Sequence, residues 1–186
     1  CALPILTDKT VAAAIVTYNR LPLLKESLAA VLAQTNYLSH VIVVDNLSTD
    51  GTKEYLDSLH DSRVVVYHAD KNLGGAGGFN QAVRLFGETL EDDYVWLMDD
   101  DTIPEPDALK HLVEFSESHP EAGFVNSQVR WGSVTGNPSW MNVTAPRAFT
   151  WQRYLTDKDQ PAIEVVNSTF VSVMFSREMV AMVGLP

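Results

Sequence analysis

Four short apolar runs, each ending on or directly followed by a polar residue and each followed by a stretch of helical periodicity, constrain this chain more than any other feature. They are VAAAIVT at 11–17, HVIVVD at 40–45, RVVVYH at 63–68 and YVWLM at 94–98. None alternates apolar with polar, so each reads as a strand buried on both faces. Leu24, Leu28, Val31 and Leu32 recur at helical spacing after Pro22, a residue suited to a first helical turn. Tyr55, Leu56 and Leu59 follow the turn-forming STDG at 48–51. Ala82, Val83, Leu85 and Phe86 follow a glycine-rich loop at 72–78, and Leu109, Leu112, Val113 and Phe115 follow Pro104 and Pro106. Strand and helix therefore alternate four times up to residue 118. That order predicts an α/β fold, a Rossmann-like and mostly parallel sheet with helices on both faces.

The signal changes after that point. Phe124 and Val125 suit a short strand, 131–161 reads as irregular and loop-dominated, 165–175 alternates as one more strand, and 177–183 reads as a helix. With 186 residues and no internal repeat, the whole of 1–186 is expected to form one domain. The formal net charge is -11, which removes the electrostatic footprint for duplex nucleic acid or an anionic membrane. An acidic chain that binds a diphosphate must supply local positive charge, from a metal ion or from oriented backbone N–H groups. Cys1 is the single cysteine, so no disulfide forms within the chain. His40, His60, His68, His111 and His119 are scattered and read as surface or packing residues. No apolar run has the length of a spanning helix, and the opening CALPILTDKT lacks the basic start of a secretory signal.

The unusual residues all fall just after strands, where parallel sheets bind ligands at their carboxyl edge. Thr17, Tyr18, Asn19 and Arg20 follow the first run and offer an aromatic face, an amide and a cation that can pair with phosphate. The alternative is that Thr17 or Asn19 caps the next helix. Asp45 and Asn46 close the second run, where a carboxylate can accept from a base imide or a ribose hydroxyl, or else cap the helix after Gly51. Asn72, Gly74, Gly75, Ala76, Gly77 and Gly78 follow the third; four glycines in five positions let backbone approach a ligand, and the helix expected after Gly78 offers N–H groups to an anion. The spacing is no dinucleotide fingerprint, because Asn80 stands where the third glycine belongs, and no Walker loop. Asp99, Asp100 and Asp101 follow the fourth. In strand geometry Asp99 and Asp101 share a side roughly 7 Å apart and can close on one hard cation, with Asp100 turned elsewhere. A solvated acidic turn is the plain alternative.

Taken together, IVTYNR at 15–20, VIVVDNLSTDGT at 41–52, NLGGAGGFN at 72–80 and WLMDDD at 96–101 resemble glycosyltransferase family 2, inverting enzymes with the GT-A fold. The pairing of the glycine segment with the acidic run looks most like the galactofuranosyltransferase branch, with rhamnosyltransferases as near neighbours; Arg130 with Trp131 and Met141 with Asn142 resemble that branch more weakly. The resemblance implies a nucleotide-sugar-binding half at 1–118 and the start of an acceptor-binding half at 119–186. Thr17, Tyr18, Asn19, Arg20, Asp45 and Asn46 would hold the nucleoside, a uridine. Asn72, the glycine segment and Asn80 would lie along ribose, diphosphate and sugar, with Asp100 beside them. Asp99 and Asp101 would hold Mg²⁺ or Mn²⁺, and 167–175 would line the acceptor side.

The implied reaction moves galactofuranose from its UDP donor to a saccharide or lipid-linked saccharide in cell-surface polysaccharide synthesis. The setting would be cytoplasmic, at the inner face of the membrane, with peripheral association of a longer protein. In the family, a segment like Gly184, Leu185 and Pro186 is soon followed by the acidic pair that carries the catalytic base. The chain is therefore expected to be cut at its carboxyl-terminal end, able to bind donor and poor at transfer. Three rival readings exist, one of them a non-catalytic nucleotide-sugar-binding module. A haloacid-dehalogenase-like phosphatase would use Asp99 and Asp101, but Ile103 departs from its motif and three strand–helix units precede it. A sugar nucleotidyltransferase would need a glycine- and arginine-rich loop where residues 17–20 stand.

Overall fold

The structure is a computed structural model that describes residues 8–34, 36–130, 132 and 162–186. Trp131, Met141, Asn142 and nearly all of the stretch expected to be irregular lie outside the described residues. The elements run β1 (Val11–Thr17), α1 (Leu21–Leu32), β2 (Leu38–Asp45), α2 (Thr52–Asp57), β3 (Val64–His68), α3 (Gly74–Thr89), β4 (Tyr94–Asp99), α4 (Ala108–Ser118), β5 (Val125–Asn126), β6 (Val173–Ser176) and α5 (Arg177–Val183). The strands form a mixed, mostly parallel sheet in the order β3-β2-β1-β4-β6-β5. β1 pairs in parallel with β2 and β4, and β2 with β3, while β6 runs antiparallel to both β4 and β5.

Alternation within each central strand builds two cores. Val11, Ala13 and Ile15 of β1 face α1, α2 and α4 through Leu24, Leu28, Val31, Leu56, Leu109 and Val113. Ala12, Ala14 and Val16 face α3 through Phe79, Ala82, Val83 and Phe86. Helices on both faces explain why the strands read as unbroken apolar runs. The small side chains on the second face let α3 lie close to β1. A Cβ added at Gly78 would sit 2.4 Å from Val16 Cγ1 and 3.1 Å from the Asn46 amide.

Three expectations need correction. α2 stops at Asp57, so Leu59 lies past it: the Ser58 N–H bonds back to the Glu54 and Tyr55 carbonyls, and its hydroxyl donates to Tyr55 O at 2.7 Å, closing the last turn. The late strand is shorter than 165–175 and runs antiparallel. β6 pairs with β4 only from Tyr94↔Ser176 to Leu97↔Val173. Residues before Val173 would lie beside Met98 and Asp99, where β4 gives way to the acidic turn, so the pairing with β4 stops there.

The third correction concerns the glycines. Residues 74–78 are not a loop ahead of a helix but the first turn and more of α3 itself. Asn72 starts it early: its Oδ1 accepts the Gly74 N–H at 2.8 Å, while Gly74 takes φ 68, a conformation open to glycine at little cost. The individual glycines therefore differ in what they do for the fold. Gly78→Ala is expected to destabilise by about 1–3 kcal/mol, through overpacking against Val16. Gly75, where an added Cβ meets nothing within 4 Å, is expected to gain about 0.5–1 kcal/mol as alanine. Urea unfolding of the two variants checks both signs.

Candidate functional site

The strand order reverses at β1: the chain steps outward through β2 and β3, then returns to place β4 on the other side. Such a reversal opens a crevice at the carboxyl ends of the two strands. Thr17 ends β1, and Val16 pairs with Asp99 at the end of β4. Across this gap Thr17 Oγ1 donates to Asp100 Oδ2 at 2.7 Å in a buried hydrogen bond. Arg20 Nη1 lies 3.4 Å from Asp100 Oδ1 and 3.0 Å from Asp101 Oδ2.

The acidic run thus departs from the expected strand geometry. β4 ends at Asp99, and Thr102 N–H closes a turn on the Asp99 carbonyl at 3.2 Å. The alternating-side argument for Asp99 and Asp101 does not apply past the strand end, because Asp100 is drawn inward by Thr17 and Arg20. Burial pushes the Asp100 carboxyl up, opposed by the Thr17 bond and Arg20. Asp99 is pushed up to about 6, first by burial and then by Asp101 and Asp100. Its side chain has no hydrogen bond among the described residues.

The loops after β1 and β2 are cross-linked. Asn19, at φ 54, donates its N–H to Ser48 Oγ at 2.9 Å, and its Oδ1 accepts the Thr49 N–H at 2.7 Å. Neither Thr17 nor Asn19 caps α1. Asp50 does so from the neighbouring loop, accepting the Leu21 N–H at 2.9 Å on one oxygen and the Thr52 hydroxyl at 2.6 Å on the other. Tyr18 is left 47% exposed beside them.

Asp45 and Asn46 are both buried. Asp45 caps no helix: Oδ1 accepts the Ser48 N–H at 2.9 Å, and Oδ2 lies 3.0 Å from His68 Nδ1. Asn46 clasps the start of α3, its amide donating to Gly74 O at 3.0 Å and accepting the Leu73 N–H at 3.3 Å. Since α3 begins at Gly74, the positive end of its dipole lies there rather than after Gly78. The N–H groups of Gly75 and Ala76 have no partner within the helix. Asn80 stands apart, donating to the Pro186 carbonyl at 2.8 Å.

The structure therefore gathers residues 17–20, 45–46 and 99–101 and the start of α3 along one edge, with Asn80 in the second turn of that helix. Sequence reasoning read Ser48 and Asp50 only as candidate caps for the helix after Gly51, and passed over His68. The signal for His68 lay in the matched lengths of HVIVVD and RVVVYH, which align Asp45 with His68 in a parallel pair. The donor set suits a hard divalent ion: carboxylate oxygens, one of them the unbonded Asp99. No group of three or more His, Cys, Asp or Glu able to hold a metal forms among the described residues. Such an ion would rely on phosphate and water oxygens for the rest of its shell, as Mg²⁺ commonly does.

Residues 13–182 match the family described as glycosyl transferase family 2. The chain is 30% identical over 186 residues to galactofuranosyltransferase GlfT1 of Mycolicibacterium smegmatis, covering 96% of this chain and 60% of that protein. It is 27% identical over 126 residues to poly-β-1,6-N-acetyl-D-glucosamine synthase of Staphylococcus aureus, covering 67% of this chain and 27% of the relative. Among solved structures, the mannosyltransferase PcManGT from Pyrobaculum calidifontis, in complex with GDP-Man and Mn²⁺, superposes with a TM-score of 0.66 at 24% identity, over 98% of this chain and 49% of that one. S. aureus TarS in complex with UDP-GlcNAc superposes with a TM-score of 0.67 at 18% identity, over 93% and 47%. The chain thus spans between a quarter and three-fifths of the length of these relatives. The family match includes the three strand–helix units that the phosphatase reading left unexplained.

The Asp99 carboxyl gives a pH prediction. Its folded pKa of about 6 lies above the ordinary 3.8. Between those values the folded state keeps a proton that the unfolded state has lost, so this group's penalty grows as pH rises through the window and is complete above 6. Solvent reaches Asp99, which screens the cost to about 1–2 kcal/mol. Asp99→Asn is therefore expected to raise the melting temperature by a few degrees at pH 7.5 and to change it little at pH 4. Equal shifts at the two pH values would contradict this.

Proposed function

Since the chain belongs to glycosyltransferase family 2, we propose that its carboxyl edge is the donor side of an inverting, metal-dependent sugar transfer. The observation that carries this reading is the interlocking at one switch point of motifs that stand up to 83 residues apart, with Thr17 and Arg20 bound to Asp100 and Asp101. Surface loops with unrelated roles have no reason to share hydrogen bonds at the strand reversal. The proposed donor is a uridine diphosphate sugar, with galactofuranose the sugar suggested by the likeness to GlfT1. The proposed acceptor is a saccharide or lipid-linked saccharide of cell-surface polysaccharide, and rhamnose is the alternative sugar.

The chemistry follows from charge. In a single displacement the acceptor oxygen attacks the anomeric carbon while the bond to the β-phosphate oxygen breaks, and the nucleoside diphosphate leaves with growing negative charge. Asp99 and Asp101 would hold Mg²⁺ or Mn²⁺, which supplies Lewis-acid neutralisation of that charge. The N–H groups at the start of α3 add fixed positive dipole, already oriented by Asn46 and Asn72. Arg20 is placed to exchange a carboxylate for a phosphate oxygen. Tyr18 offers its exposed ring to the base, and Asp45 offers an acceptor. No general base is assigned to the residues in hand, and residues 119–186 are proposed to begin the acceptor half. Among the described residues no helix is long and apolar enough to cross a membrane. The proposed setting is the cytoplasmic face of the membrane.

Titration calorimetry with UDP, with and without Mn²⁺, tests this. Metal is expected to tighten UDP binding, and Asp101→Ala to remove the metal-dependent gain while leaving the thermal transition in place. UDP affinity that ignores both Mn²⁺ and the Asp101 substitution would sink the proposal.

A further inference from the structure

One constellation at this edge has no part in the transfer chemistry above. β2 and β3 are in register at their carboxyl ends, with Asp45 opposite His68. The Ala69 N–H extends the pairing by donating to the Asp45 carbonyl at 2.9 Å. The His68 ring lies between two carboxylates, Nδ1 3.0 Å from Asp45 Oδ2 and Nε2 3.0 Å from Asp57 Oδ1. Lys53 then donates to Asp57 Oδ2 at 2.6 Å. The result is a chain of polar contacts running from an exposed lysine on α2 inward to a carboxylate whose side chain is only 3% exposed.

Asp45 needs such support. A buried carboxylate is costly unless its oxygens are met by donors. Ser48 meets one oxygen and the His68 ring the other. Each oxygen has two lone-pair directions, so each keeps one for a further donor. Without the ring, Oδ2 would lose its anchor and the carboxylate could rotate about its last bond.

We propose that His68 is a positioning residue for nucleobase selection: clamped by Asp57 and Lys53, it holds Asp45 so that its remaining lone pairs meet a ring N–H of the base. A uracil presents an imide N–H there. A cytosine presents an unprotonated ring nitrogen at the same place, setting lone pair against lone pair. The site would therefore prefer uridine to cytidine nucleotides because Asp45 is fixed as an acceptor, and His68 sustains that preference without touching the base. This rests on reading the edge as a nucleotide-sugar site.

The test is calorimetry in Mn²⁺ on the unaltered chain and on His68→Ala, His68→Asn and Asp57→Asn, each with UDP, CDP and inorganic pyrophosphate. His68→Ala is expected to weaken UDP binding about tenfold, the loss of one charge-assisted hydrogen bond, and to narrow the UDP-to-CDP ratio, with pyrophosphate binding unchanged. His68→Asn keeps an amide that can donate to Asp45 and is expected to recover much of the loss. Asp57→Asn, on an exposed side chain at the end of α2, is expected to lose a few-fold and gives a readout even if the His68 variants misfold. UDP bound by the unaltered chain, with the UDP-to-CDP ratio untouched by His68→Ala and Asp57→Asn, overturns this inference alone. Weakened pyrophosphate binding in all the variants would likewise overturn it, as general damage. No UDP binding by the unaltered chain overturns the functional reading and this inference together.

Discussion

The hydrogen bond from Thr17 to Asp100 joins the two halves of this edge. At the strand reversal no loop crosses from β1 to β4, because α1 leaves on one face of the sheet and α3 arrives from the other. The gap is an outcome of topology and would admit water. A buried hydroxyl donating to a buried carboxylate at 2.7 Å closes its floor. The carboxylate tolerates burial because Thr17, the Tyr18 backbone and Arg20 meet its lone pairs. Once Asp100 is anchored inward, its neighbours are left with fewer partners. Among the described residues Asp101 keeps only the exposed Arg20, and Asp99 has no hydrogen-bond partner. A single inward bond thereby turns a symmetric run of three aspartates into three different groups.

The surrounding loops acquire rigidity in the same way, from side chains that bond to backbone of the next loop. Asn19 holds Thr49, Ser48 holds Asn19, Asp50 holds the first turn of α1, and Asn46 holds the first turn of α3. Each bond joins elements from different strand–helix units. A ligand arriving here would meet a surface already ordered by its own side chains, so little ordering cost remains at binding. The close seating of α3 on β1 belongs to the same scheme. Gly78 leaves room for Val16 and for the Asn46 amide that clasps the helix.

The parallel core was legible in the sequence because strands buried on both faces must be continuously apolar, and 11–17 and 94–98 are. The helices were legible where their apolar stripe met a core, as at Leu24, Leu28 and Val31. What could not be read was decided by tertiary partners. The glycine segment reads as a loop by composition, yet Asn46, 28 residues earlier, accepts and donates at its first turn and makes it helix. The strand at 165–175 reads as long by alternation, yet β4 has only four residues of edge to pair with. Asp99 and Asp101 read as a pair because strand periodicity was carried two residues past the strand. The histidine beside Asp45 was passed over because a lone histidine carries no pattern; only register brings it there.

The charge of -11 and an anionic ligand need not conflict, because the site's carboxylates are already spoken for in different degrees. Asp100 is neutralised in place by donors, Asp45 by Ser48 and His68, and Asp50 by two helix starts. Asp99 and Asp101 are less compensated: Asp101 meets the exposed Arg20, and burial, followed by Asp101 and Asp100, pushes Asp99 up to about 6. Such a site repels a diphosphate that comes alone. Under the proposed reading, one that brings a divalent cation would be accepted, because the cation would relieve the repulsion between Asp99 and Asp101 and free Arg20 to turn from carboxylate to phosphate. Acid is then predicted to oppose the metal: a proton on Asp99 relieves the same repulsion more cheaply, so the two compete for one carboxylate as pH falls through 6.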